Sequence, residues 1–254
     1  MKKQTSILVS LFAFTLLTLS GLRPAFANPV TIQGLQGDVL IRPMGAAQWA
    51  PAVQGGVLAE GDAIKTNPGS AAVLDWQGVG NFQVSEATEV TVSKAKFQAS
   101  GHEAELNVKI GTLKAKLNKQ KSGSSFQLVT PTSVTGVRGT TFLITVKANG
   151  ETFHIVVEGS ITVQNIASGT VTKVVQGQTT KSTSSGTEEA SAEEAAEMQE
   201  VASSLDEVIA AILADLGNYS VTVEAIEQEQ QEQEAESASE AGKEITNNDQ
   251  HAST

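Results

Sequence analysis

The residues able to do chemistry in this chain are few and scattered. Cysteine is absent from its 254 residues. That excludes a disulfide framework, a thiolate metal site and a cysteine nucleophile, and with them a lipid anchor that needs a cysteine at the cleavage point. Histidine occurs three times, at His102, His154 and His251. His102 falls in a polar turn and His251 lies close to the C-terminus. His154 sits in an alternating run that predicts a ring facing solvent or a covering loop. None has a partner at metal-ligand spacing such as His-x-x-x-His. There is no Gly-x-Ser-x-Gly elbow, and no lysine follows a glycine loop in the manner of a nucleotide-binding loop. Asp38, Asp62 and Asp75 could ligate a hard cation together with carbonyls. Each also stands in a turn context, where aspartate bonds nearby backbone. The pattern predicts no catalytic residue, no cofactor and no metal.

Two basic features remain. In Gly136-Val137-Arg138-Gly139 a single guanidinium stands between glycines. Its five donors could satisfy the carbonyls of a buried turn. The same group could fork onto an anion or a partner carboxylate. No helix follows whose N-terminus would hold a phosphate. The second feature is Lys109, Lys114, Lys116, Lys119 and Lys121. Lys114 and Lys116 alternate with Leu113, Ala115 and Leu117, so they line one wet side of a strand. Lysines there protect an edge strand from strand addition, or they offer a patch to an anionic partner. That partner could be an envelope polymer or the chain's own acidic tail. Aromatic residues interleaved with the lysines, which single-stranded nucleic acid would call for, are missing.

The elements that must carry these groups are β-strands. From residue 30 to 181 short apolar-alternating runs are punctuated by Pro43, Gly45, Pro51, Gly55-Gly56 and Gly61, the spacing of an all-β sandwich or roll. The clearest unit runs from Thr130 to Gly159. Phe142, Ile144 and Val146 share one strand face, Phe153, Ile155 and Val157 share another, and Asn149-Gly150 between them is a strong hairpin signal. Thr130-Pro131 fixes an extended entry.

Gly136-Val137-Arg138-Gly139-Thr140-Thr141-Phe142, followed by a hairpin ending Val157-Glu158-Gly159, resembles the core signature of the FecR domain. Gly37-Asp38-Val39, Trp49, Leu58, Gly61-Asp62-Ala63-Ile64, Thr66, Ser70, Leu106 to Gly111 and Gly177-Gln178 fit the same pattern. The resemblance spans residues 34–178. It implies an extracytoplasmic bacterial β-domain. It also marks Gly61, Asp62, Gly136, Arg138, Gly139, Thr140 and Phe142 as motif residues, with mainly structural roles expected.

Outside that stretch the chain changes character. Lys2 and Lys3, the apolar segment Ile7 to Leu22 and the small-x-small site Ala25-Phe26-Ala27 read as a secretory signal over 1–27, placing the protein in the periplasm or outside the cell. An uncleaved anchor is the competing reading, and the segment is short beside the roughly 20 residues that a span needs. After the β-domain (28–181), a Ser/Gly/Thr linker (182–187) leads to an expected helix over 188–217. There Met198, Val201, Leu205, Val208, Ile209, Ile212, Leu213 and Leu216 recur at spacings of three and four. This stripe must be covered by the β-domain, a second copy or another protein. Leu205, Ile209, Ile212 and Leu216 are therefore candidate contact residues. Residues 218–254 are Glu/Gln-rich and read as a disordered acidic tail.

Charge divides at the same boundary. Residues 28–181 hold 13 basic and 10 acidic side chains, net +3, whereas 182–254 hold 18 acidic side chains and one lysine, net −17. The overall charge of −11 belongs to the tail and disfavours nucleic acid as its partner. The expected function is a non-enzymatic extracytoplasmic binding or scaffold module, with an envelope protein or polymer as partner. The alternative is a component of envelope signalling. FecR-type regulators pass a periplasmic signal to a cytoplasmic sigma factor. Only Met1 to Ser6 precede the apolar segment here, where those regulators carry a cytoplasmic domain.

Overall fold

A computed structural model describes residues 29–217; the segments expected to be a secretory signal (1–27) and an acidic tail (218–254) lie outside the described residues. The first half contributes β1 (Val30–Gln36), β2 (Val39–Arg42), β3 (Ala50–Pro51), β4 (Val57–Leu58), β5 (Ala63–Thr66), β6 (Ala71–Trp76), β7 (Gly80–Val84) and β8 (Glu89–Gln98). The long strand β9 (Gly101–Leu117) follows. The second half adds β10 (Ser125–Val129), β11 (Ser133–Val137), β12 (Thr141–Val146), β13 (Thr152–Glu158), β14 (Ser160–Asn165), β15 (Val171–Val175), β16 (Thr179–Ser182) and β17 (Thr187–Glu189). One helix, α1, covers residues 192–217.

The strands form two sheets that share β9. One sheet runs β4-β1-β6-β7-β9-β12-β13-β16-β17. The other runs β3-β2-β5-β8-β9-β10-β11-β14-β15. β9 is the middle strand of both. Its first half pairs with β8 and, in parallel, with β10; its second half pairs with β7 and β12. The change of sheet falls at Gly111, whose φ is +94°. A Cβ there would lie 2.5 Å from Thr88 Cα, so only glycine permits this close, left-handed bend.

Alternation then builds the core. Trp76, Phe82, Phe126, Phe142, Ile144 and Val156 point between the sheets and are fully buried. The opposite faces of β6, β12 and β13 carry Ala71, Val73, Leu143, Phe153 and Ile155. These meet Met198, Ala202, Leu205, Ile209 and Ile212 of α1 in a second apolar layer. We call this the covered sheet and its partner the open sheet. The Asn149-Gly150 hairpin forms as expected, with a three-residue loop. Lys147 N–H donates to Glu151 O at 2.9 Å, and Gly150 takes φ +86°, the usual chemistry of a loop closed by a left-handed residue.

Three expectations change. The linker is a hairpin: Ser182 ends β16, Thr183 N–H donates to Gly186 O at 2.8 Å, and Thr187–Glu189 forms β17. Its hydroxyls bond one another and the backbone instead of leaving the segment free. The helix starts at 192, after Ser191, not at 188. Ser191 and Glu194 form a reciprocal capping box, Glu194 N–H to Ser191 Oγ at 3.3 Å and Ser191 N–H to Glu194 Oε2 at 2.9 Å. Finally, β9 is central, so its lysines protect no edge.

Candidate functional site

The motif residues divide by what they do. Phe142 is buried in the sandwich core. Thr140 is buried too, its hydroxyl donating to Ser160 O at 2.9 Å. Gly139 has φ +62° and packs against Lys119. Gly61 turns beneath Met44, and Asp62 accepts from the N–H groups of Met44 at 2.8 Å and Ala59 at 2.9 Å. These five shape the backbone. Arg138 does not. It is exposed, and among the described residues its side chain makes no hydrogen bond or ion pair. The turn-pinning reading of this arginine is therefore corrected. The turn is held by Thr140 and by Leu117 N–H donating to Thr140 O at 3.0 Å, which leaves the guanidinium outside. Gly136 is similarly unforced: its φ is not positive, and a Cβ would meet only Thr162 O, at 3.9 Å.

The lysine cluster also separates. Lys109 lies on the open sheet, 3.4 Å from Glu89. Lys114 is half-buried on the covered sheet and pairs with Asp206 of α1. Lys116 is exposed on that same face, in a cleft of about 470 Å³ shared with Asn81, Gln83 and Glu158. Lys119 and Lys121 stand on the loop leaving β9. That loop touches the Arg138 turn through Gly139, whose Cβ position is 3.4 Å from Lys119 Cα. Lys119, Lys121 and Arg138 thus gather at one end of the sandwich, while Lys116 shares its cleft with Lys114 and Leu213 of α1. Thirteen lysines and arginines fall within the described residues, and six of them are ion-paired. Lys119, Lys121 and Arg138 are three of the remaining seven.

The helix candidates are no open contact surface. Leu205, Ile209 and Ile212 are buried against the protein's own sheet, and Leu216 packs over Gly34. Sequence periodicity showed that the stripe needs a cover but not which one. Three lysines of the sheet hold the helix from its flank: Lys114 to Asp206, Lys147 to Glu197 at 3.2 Å, and Lys181 to Glu194 at 2.8 Å. The Lys181 ammonium, with the Ser191 cap, holds the Glu194 carboxyl down to about 2.

His154 overturns the expectation of a wet ring. It is completely buried, because Phe153 and Ile155 turn toward α1 and His154 turns into the sandwich. Ser133 Oγ lies 3.0 Å from His154 Nε2, within a hydroxyl chain through Thr130 and Thr152. A serine beside an imidazole suggests a nucleophile, but both are sealed from solvent, so the pair acts as a core polar network. Burial pushes the His154 pKa down to about 4. His102 begins β9, its ring 5.3 Å from that of Phe97. Burial lowers its pKa as well, opposed by the Gln120 side chain. Among the described residues no three histidine, aspartate or glutamate side chains converge as a metal site. No helix among them is long and apolar enough to cross a membrane.

The two-sheet β-structure and the Arg138 turn at its end can be compared with known proteins. The family model described as FecR protein matches residues 62–162, from the Asp62 turn through the Arg138 turn to β14. Over those residues the chain is similar to the FecR domain. Two crystal structures, each described as a "putative anti-sigma factor" from Parabacteroides distasonis ATCC 8503, are similar at 14% and 13% identity, with TM-scores of 0.42 and 0.43. In both cases 51% of this chain is covered, and the chain spans 60% of the other's length. At these values the likeness carries no argument about role. No curated protein matches the sequence.

Proposed function

We propose that this protein is an extracytoplasmic, non-enzymatic binding module of the FecR type, exported by its N-terminal segment. It recognises an anionic envelope partner through the end of the sandwich that carries Arg138. One observation carries this reading: Lys119, Lys121 and Arg138 stand together there without an ion-pair partner among the described residues, while Lys114, Lys147 and Lys181 along the helix are paired. Exposed like charges on a fixed frame repel one another mildly and raise the local concentration of anions. A partner's carboxylates or phosphates relieve that repulsion, and Arg138 can engage them with two parallel bonds.

The test is site-specific photo-crosslinking in living cells. A crosslinker at position 138 is expected to capture one envelope partner, and Lys119→Glu with Lys121→Glu is expected to abolish capture. Capture from position 164 on the open sheet, with none from 138, would contradict the assignment.

A second reading is favoured by the family match itself: the module senses a ligand as part of FecR-type envelope signalling. Deleting the gene would then change transcription from a sigma-factor-dependent promoter. An unchanged transcript profile would remove that reading and leave the binding module standing.

A further inference from the structure

Behind Lys119 and Lys121 lies a cleft of about 700 Å³ that the FecR motif does not include. We propose that it binds a short saccharide bearing carboxylates or phosphates. The inference rests on the reading above, that this end of the sandwich takes an anion, and it names the ligand class and the seat.

The lining supplies the three kinds of contact such a molecule needs. Phe97 gives an apolar wall, half-buried and fixed by the Trp76 ring at 6.2 Å and the His102 ring at 5.3 Å. A sugar ring has a C–H face that packs on such a wall by burying apolar surface. Asn118, Ser122 and Ser124 offer amide and hydroxyl groups of both donor and acceptor character. Lys119 and Lys121 bring positive charge, and no acidic residue lines the cleft. His102 is neutral near pH 7, since burial holds its pKa below 6.5, so the charge is that of the lysines. The volume lies within the range of about 300 to 1,000 Å³ typical of ligand sites.

The walls are also built to stay in place. Gln120 is buried, and its amide donates to Asn118 O at 3.1 Å and Val79 O at 3.4 Å, anchoring the loop between the two lysines. Gly101 and Gly123 let two backbones meet: a Cβ on Gly101 would lie 2.4 Å from Gly123 O, and one on Gly123 would lie 2.4 Å from Ser100 O. His102 N–H donates to Ser124 Oγ at 3.2 Å. A loop fixed this way has little order to lose on binding. The alternatives fit less well. Single-stranded nucleic acid stacks successive bases on several aromatic rings, and here one phenyl wall is present. A lone phosphate would leave the Phe97 wall unused.

The test is calorimetric titration of the purified protein with three probes: a hexagalacturonate, neutral maltohexaose and inorganic phosphate. The hexauronate is expected to bind at least about tenfold more tightly than either other probe, and to weaken as salt is raised. The His102 ring proton signals are expected to shift on its addition. Lys119→Ala with Lys121→Ala should weaken binding about tenfold, while Lys116→Ala with Arg138→Ala should change it less than about threefold. No binding of the hexauronate overturns the saccharide site. Equal binding of maltohexaose overturns the need for anionic groups, and equal binding of phosphate overturns the need for a sugar. Loss of binding only in the Lys116/Arg138 variant moves the ligand out of the cleft and leaves the functional reading intact. Binding unchanged in both variants overturns the two together.

Discussion

Lys114 and Lys116 are two residues apart on the same face of the same strand and line one cleft with Leu213 of α1 and Glu158, yet only one of them is paired. Lys114 meets Asp206; Lys116 makes no ion pair among the described residues. The contrast extends along each region. On the covered face, Lys114, Lys147 and Lys181 all meet carboxylates of the acidic helix segment. At the end of the sandwich, Lys119, Lys121 and Arg138 meet none among the described residues. One run of basic residues in the sequence has been divided by topology into a paired set and an unpaired set. Spacing along a strand fixes the face a lysine takes; what stands over that face decides what the lysine does.

The largest effect should come from the apolar contacts beneath the helix. Leu205→Ala or Ile209→Ala should cost about 2 to 5 kcal/mol, because each leaves a cavity in a closed layer. Leu213→Ala, at a site 47% exposed, should cost less than about 1 kcal/mol. Urea denaturation reads both. Equal costs would mean that the helix does not seat as described.

His154 gives the next effect. Its folded-state pKa of about 4 lies below the ordinary histidine value of 6.5, so the unfolded chain binds the proton more readily. Its contribution to stability is complete above pH 6.5. It falls by about 3 kcal/mol as the pH drops from 6.5 to 4, and levels off below that. The stability difference between wild type and His154→Gln, followed across this window, isolates the contribution. A flat difference would place the imidazole in water.

A smaller effect belongs to the helix start. Lys181, with the Ser191 cap, holds the Glu194 carboxyl at about 2, below its ordinary value of 4.5. The stabilisation it gives is present above pH 4.5 and is lost as the pH falls toward 2. Glu194→Gln should raise hydrogen exchange in the first helical turn and leave the sheets unchanged. Uniform acceleration would contradict a local cap.

How much of this was legible in the sequence follows from how local each signal is. The Asn149-Gly150 hairpin, the alternation of Phe142, Ile144 and Val146, and the stripe from Met198 to Leu216 depend on neighbours within a few residues, and all appear in the fold, apart from Leu213 of the stripe, which stays exposed. His154 was misplaced because alternation assigns each strand one wet face, while α1 dries the second face of β13. Arg138 was misplaced because a guanidinium between glycines looks like a pin, and only the Thr140 and Leu117 bonds show the turn already closed. The helix start was readable: Ser191-x-x-Glu194 is a capping box, obscured by the glutamates at 188 and 189. The central position of β9 was not readable, because it depends on pairings between strands far apart in the chain.

The most direct measurement sets the two lysine groups against each other. Lys114→Glu with Lys181→Glu is compared with Lys119→Glu with Arg138→Glu, reading stability by denaturation and partner capture by crosslinking in the envelope. The first pair should lower stability and leave capture by the folded fraction intact. The second should leave stability within about 0.5 kcal/mol and abolish capture. The reverse pattern, with stability lost at Lys119 and Arg138 and capture retained, would contradict the division between a structural face and a recognition end.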